Sequence, residues 1–295
     1  MATPLSFILA DLSAQSRKRP SQQVKQISPS MPMGLSAPAH HSSRAISALG
    51  YGKNTLQLQM KKKPKKSPVI IEGFPGFGFV ATIAVEYLMD HLKMHSVGRL
   101  WSPRLSPIAF IHGKRLVQPL EVFHNDRHNL IVLEAVTGVS GMEWEVADTL
   151  VDMYKKLGAK ELISIEGIGS QVERREPKAF YWTNNEASKK ALEAIGLEPV
   201  KEGIIFGVSG ALMLKVPEDI KATCIFAETH SDLPDSRAAS VIIKALDKYL
   251  RLDIDYKPLL KKAEEFEDSL KGLMEQAKQA GQTKAAKEQE QPYIG

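Results

Sequence analysis

Along residues 69–252, short apolar runs alternate with stretches whose apolar positions recur at helical spacing, and glycines mark most changes of pattern. That alternation predicts an α/β domain, a mainly parallel sheet with helices on both faces. Strands are expected at "PVIIEG", "IAFIHG", "LVQPLEVFH", "LIVLEAV", "ELISIEGI", "EGIIFGV" and "TCIFAET", with Gly113 turning a hairpin between the second and third. In "SGMEWEVADTLVDMYKKLG", Val146, Leu150, Met153 and Leu157 share one helical face, Ser140 and Glu143 read as a capping box, and Gly158 reads as the stop. Thr183 and Glu186 repeat the box before "EASKKALEAIG", and another helix is expected to start near Asp235.

From Leu259 the apolar positions Leu259, Ala263, Phe266, Leu270, Leu273 and Ala277 step alternately by four and three. This heptad seam over 253–280 predicts a C-terminal amphipathic helix that docks on its own domain or on another copy; Leu259, Phe266, Leu270 and Leu273 are the candidates for oligomerisation. Residues 281–295 read as a mobile polar tail ending in one apolar cluster. Residues 1–68, rich in Ser, Pro, Gln and Lys and closing on "MKKKPKKSP", read as a disordered basic extension. Their few acids give them the look of an organellar transit peptide, and Met60 is an alternative start.

Charge changes the picture once its location is considered. The chain carries +5, but residues 1–68 hold 11 Lys and Arg against one acid, which leaves 28 bases against 33 acids in the remainder. With no basic cluster in the folded part, nucleic acid is excluded as the main partner. The single cysteine, Cys224, excludes an internal disulfide and a multi-thiolate zinc site, and it reads as a small buried residue in a strand. No apolar run approaches the ~18 residues that a membrane-spanning helix requires. The start "MATPLSFILADL" lacks the basic residues of a secretory signal, so a cytoplasmic protein is expected.

Four strand candidates end in a glutamate: Glu72, Glu134, Glu166 and Glu228. Carboxyl ends of parallel strands share one edge, where ligands bind, so these acids predict a negative rim. Such a rim suits magnesium, ribose hydroxyls or the basic side chains of a partner; the structural alternative is that each acid is satisfied by loop N–H groups or by Arg174 and Arg175. The loop "GFPGFGF" reads G-x-x-G-x-G, matching neither the dinucleotide fingerprint nor the triphosphate loop. Its Phe74, Phe77 and Phe79 suit a packed turn or a protein interface. The histidines, His95 and His124 among them, show no H-E-x-x-H or comparable metal motif, and Ser209 in "GVSGAL" lacks the final glycine of a nucleophile elbow.

Through "IIEGFPGFGFVATIAVEYLMDHL", "SPIAFIHG", "LIVLEAVTGVSG", "ISIEGIGS" and "GIIFGVSGALML", the sequence resembles the archaeal branch of the proteasome assembly chaperone family, homologues of the second eukaryotic proteasome-assembling chaperone. The resemblance covers about Val69 to Leu250. It implies a nucleoside-phosphorylase-like architecture, homo-oligomers, contact with proteasome α subunits, and no cofactor. Similar sequences are also labelled ATP-grasp ligases, which implies the rival: an ATP- or nucleoside-using enzyme with its site at the acidic rim. Partners of the proteasome core particle often end in hydrophobic-Tyr-any residue. Here Tyr293 stands third from last, before Ile294 and Gly295, and these residues are the candidate docking peptide.

Overall fold

The computed structural model describes residues 56–261 except 108–109, 113–114, 171–175 and 231–232. Among the described residues there are eleven strands: β1 (Gln57–Met60), β2 (Val69–Gly73), β3 (His95–Trp101), β4 (Phe110–His112), β5 (Arg115–Val117), β6 (Leu120–Asn125), β7 (Leu130–Ala135), β8 (Glu161–Gly169), β9 (Ala179–Thr183), β10 (Glu198–Pro199) and β11 (Ala222–Thr229). Helices α1 (Val80–His91), α2 (Glu143–Leu157), α3 (Glu186–Ala194), α4 (Gly207–Lys215) and α5 (Ser236–Leu250) accompany them, and residues 257–261 are also helical.

Nine strands form one sheet in the order β1-β3-β6-β7-β2-β8-β11-β9-β10, and β4 and β5 form the expected hairpin apart from it. The α/β class holds, but the sheet is mixed. Its centre, β7-β2-β8-β11, is parallel, whereas β1-β3, β3-β6, β6-β7 and β11-β9 are antiparallel. The central strands are buried on both faces, which is why they read as unbroken apolar runs. Alternation sends Ile70, Ile131, Leu133 and Leu162 toward α2 and α4. Residues of the other parity, Ile71 and Gly73 among them, face α1, which packs with α5.

Two helix starts differ from expectation. Helix α2 begins after Met142 with no side-chain cap, so Ser140 and Glu143 do not form a box. For α3 the cap is Asn185, whose side chain accepts from the N–H groups of Ala187 and Ser188, and not Thr183. Thr183 is engaged by its strand neighbourhood, donating to the carbonyl of Ala222 at 2.8 Å. Asp235 caps α5 as expected, accepting from Ala238 N–H at 2.9 Å, and Gly158 closes α2 in the left-handed conformation. The run "EGIIFGV" is not a strand: residues 202–206 form a loop and Gly207 opens α4.

The limit at Pro68 also moves. Leu56, Leu58 and Met60 alternate, and all three pack against the core while β1 pairs with β3, so residues 56–68 belong to the fold. Gly98 allows this approach, since a Cβ there would lie 2.7 Å from the Gln59 carbonyl oxygen. At the other end Leu259 is only 3% exposed, so the first seam residue is already covered within the chain. Phe266, Leu270 and Leu273, with residues 1–55 and the tail 281–295, lie outside the described residues. Among the described residues no helix is long and apolar enough to cross a membrane.

At the amino end of β8, buried Glu161 ties three elements together. It accepts from Thr223 Oγ1 at 2.6 Å, Tyr249 Oη at 2.9 Å and Ser188 Oγ at 3.1 Å, and pairs with Lys221 Nζ at 3.1 Å. Burial, then the Glu161 charge, hold the Tyr249 phenol protonated well above its ordinary range. Removing an acid from such a network strands its donors, so Glu161→Ala is expected to lower unfolding free energy by roughly 3–5 kcal/mol. Urea denaturation checks this; a loss under about 1 kcal/mol would show that the network is not holding β8, β11 and α5 together.

Candidate functional site

The chain leaving β2 turns back across the carboxyl ends of β8 and β11. The contact is too close for side chains: a Cβ on Gly167 would fall 2.3 Å from the Phe77 carbonyl oxygen, and one on Gly78 would fall 2.6 Å from Thr229 Oγ1. Gly78 also has φ +60, the left-handed region that favours glycine. Its carbonyl accepts from Asp235 N–H at 2.8 Å, so the turn is pinned to the start of α5 as well. Packing therefore accounts for these glycines. The three phenylalanines part company: Phe74 packs on the core beneath α2 and α4, whereas Phe77 and Phe79 line an open cleft.

That cleft, about 560 Å³, lies between the turn, the end of β8 from Glu166 to Gly169, and the loop 200–207. Its rim is apolar and uncovered: Phe77 is 49% exposed, Ile204 78% and Phe206 67%. Its inner wall is acidic. Glu166 lines it, and one carboxylate oxygen, Oε2, is buried without a hydrogen-bond partner among the described residues. Behind it lies Glu72, fully buried with neither oxygen bonded. Ser164 and Ser209 complete this layer, their hydroxyls 2.7 Å apart. Ser209 thus sits inside a helix against β8, and no strand-to-helix elbow presents it as a nucleophile.

Strand register decides which of the four glutamates meet. Glu72 stands opposite Ser164, Glu166 opposite Phe226, and Glu228 opposite Ile168, so these three share the face that carries α2 and α4. Glu134 stands opposite Gly73 and faces the other way, across from Glu121. The expected single rim of four is therefore corrected: the parity of the strands divides it. Glu228 is tied to backbone, its carboxylate accepting from Lys178 N–H at 3.3 Å. Arg174 and Arg175 lie outside the described residues.

Burial pushes Glu72 up to about 8; the neighbouring Ser164 hydroxyl offsets part of this and the Glu166 charge adds to it. Glu166 is raised to about 7, again by burial, with Ser209 acting in the opposite direction. The Cys224 thiol, beneath the same acids on β11, is pushed well above its ordinary value, first by burial and then by both carboxylates. Both carboxyls thus hold their protons more tightly than free ones, and Glu166 changes charge close to neutrality.

The family model for PAC2 matches residues 70–274. The chain belongs to the PAC2 family. Among solved PAC2-like structures, a monoclinic crystal form of Pyrococcus furiosus PbaA, described as an archaeal homolog of proteasome-assembly chaperone, superposes with a TM-score of 0.71. It is 29% identical, over 78% of this chain and 97% of that one. Pyrococcus furiosus PbaB, described as an archaeal proteasome activator, gives 0.66 at 25% identity over 75% and 99%. A curated relative, the uncharacterised protein MJ0106 of Methanocaldococcus jannaschii, is 25% identical over 72% of this chain and 87% of its own.

Sequence reasoning missed Ile204 and Phe206 in this PAC2 protein, because it assigned "EGIIFGV" to a buried strand. The available signal was Gly203 and Gly207 bracketing only three residues, too few for a central strand. The acids supply a pH test. Folding holds Glu72 protonated up to about pH 8, against 4.5 for the unfolded side chain. The native state therefore binds the extra proton between these values, and stability falls as pH rises through them. Glu72→Gln removes the penalty, so its stability relative to the parent should rise from pH 4.5 to pH 8 and then level. Urea midpoints across that range check it, and a pH-independent difference would refute it.

Proposed function

We infer that this PAC2 protein is an oligomeric, non-enzymatic chaperone scaffold of the cytoplasm that binds proteasome α subunits, with Phe77, Ile204 and Phe206 as a docking surface. One observation carries the reading: large apolar side chains stand uncovered around the mouth of the cleft. Apolar groups rimming a concavity favour burial against a partner. The descriptions of PbaA and PbaB supply the kind of partner. Phe74, packed inward, supports the turn from below and is not a contact. The seam residues Phe266, Leu270 and Leu273 gather copies under this reading, while Tyr293, Ile294 and Gly295 add a second contact. Repeated on an oligomer, such a weak anchor gains effective concentration.

A specific observation favours the rival, an ATP- or nucleoside-using enzyme: Glu166 lines a cleft at the ends of parallel strands with its carboxyl raised to about 7. The readings part in the following measurements. Ile204→Ser with Phe206→Ser changes only exposed positions, so thermal stability should stay within roughly 0.5 kcal/mol while α-subunit capture falls about tenfold or more. Equal capture overturns the docking surface. Calorimetric titration with ATP and magnesium should show no saturable heat; heat that saturates and is lost in Glu166→Gln would establish the enzyme. Phe266→Asp is expected to lower the mass seen by light scattering, and an unchanged mass removes the seam from assembly. A chain lacking Tyr293 to Gly295 should recover less α subunit than the full chain.

A further inference from the structure

Away from the cleft, at the amino ends of the parallel strands, two histidines meet that the sequence keeps 29 positions apart. His95 begins β3 and His124 lies near the end of β6, directly opposite each other in the antiparallel pair. Their rings are 5.8 Å apart, edge to face. Asp126, two residues beyond His124, returns its carboxylate to both: Oδ2 lies 3.9 Å from His95 Nε2, and Oδ1 lies 3.6 Å from His124 Nδ1. All three candidate donor atoms fall within 4.8 Å of one another. Donors around one tetrahedral ion at about 2.0–2.1 Å sit about 3.4 Å apart, so small rotations of the more exposed His95 and Asp126 close the set.

The orientation of His124 is fixed by Asn129. The Asn129 Nδ2 donates to the Lys66 carbonyl at 2.9 Å, so the atom 3.2 Å from His124 Nε2 is the amide oxygen. Nε2 therefore carries a proton and donates it to that oxygen. Nδ1 is left aiming at a carboxylate oxygen. Two acceptors at that distance repel unless a second proton or a metal cation lies between them. A ring that donates its far N–H to an oxygen while presenting the other nitrogen is the arrangement of a ligating histidine. The turn is held ready: Asn125 donates to the Leu92 carbonyl at 2.7 Å and accepts from His128 N–H at 2.8 Å. Lys65 hydrogen-bonds the Asp126 carbonyl and not its carboxylate.

We propose that His95, His124 and Asp126 form a zinc-binding site that clips β3 to the β6–β7 turn. Two imidazoles and one carboxylate suit zinc or a neighbouring transition ion, whereas magnesium and calcium prefer all-oxygen sets. Three protein donors leave at least one position for water or for a donor from another chain.

Zinc titration of the full chain tests the site, in a His40→Ala/His41→Ala background because those adjacent imidazoles offer a competing site. One zinc per chain should bind with saturable heat and raise the melting temperature. Cobalt should bind there with visible absorption bands, and magnesium should not bind. His95→Ala and Asp126→Asn alter exposed side chains, should leave the metal-free melting temperature near that of the parent, and should weaken zinc binding at least tenfold. Asn129→Gly keeps the left-handed turn but removes the oxygen that orients His124, so a loss of roughly 10–100-fold is expected. No saturable zinc binding, which would leave only a proton between His124 and Asp126, overturns the proposal. So does zinc binding that ignores both His95→Ala and Asp126→Asn.

Discussion

Backbone lies against backbone where the turn after β2 crosses Gly167, and the rest of the site depends on that contact. A side chain of any size at 167 would meet the Phe77 carbonyl, so the turn exists only because the strand it covers is bare there. Once seated, it sets Phe79 in a left-handed conformation ahead of α1 and turns Phe77 to the outside. It also receives the first N–H of the α5 cap. One close packing arrangement thus positions two helices and half the rim of a cleft. A glycine-rich turn between strand and helix is where nucleotide-binding proteins hold phosphate; here the same location serves packing and leaves aromatic groups at the surface.

Beneath this turn the chemistry departs from what a rim of carboxylates leads one to expect. Glu72 is fully buried with no cation beside it among the described residues and only the Ser164 hydroxyl to offset its burial, and the consequence is retention of its proton. Ser164 and Ser209 lie within hydrogen-bond reach of one another and each offsets part of the burial of its neighbouring carboxyl. Burial thus weakens the negative field at the back of the cleft, while Glu166, raised only to about 7, still ionises near neutrality at its wall.

Much of the fold was legible because central strands and amphipathic helices leave strong periodic signals. The runs at β2, β7, β8 and β11 are long and apolar, and α2 and α5 carry clear stripes. What was not legible follows from context. β9, "AFYWT", is short and half-exposed, and β3 is interrupted by Gly98. The cap of α3 went to Asn185 because Thr183 bonds within the sheet. Of the acids expected on one rim, Glu72, Glu166 and Glu228 do share a face, and Phe77 and Phe79 line the cleft beside Glu166, a juxtaposition the sequence alone did not suggest. Glu134 does not share that face, because the face a strand residue occupies depends on register, which a single sequence does not reveal. The loop with Ile204 and Phe206 was misread for the reason that makes it interesting: uncovered apolar residues look like core until a structure shows nothing above them.

The short strand β1 has one more consequence. By pairing with β3 it occupies hydrogen-bonding groups that would otherwise border the sheet as an open edge. A polypeptide started at Met60 would keep a single residue of that strand and bare the flank of β3. Bare flanks are adhesive, recruiting any other extended chain that offers its own amides. With β1 in place the sheet ends instead on a strand of four residues, a shorter border than the seven of β3 and so a poorer template for another chain.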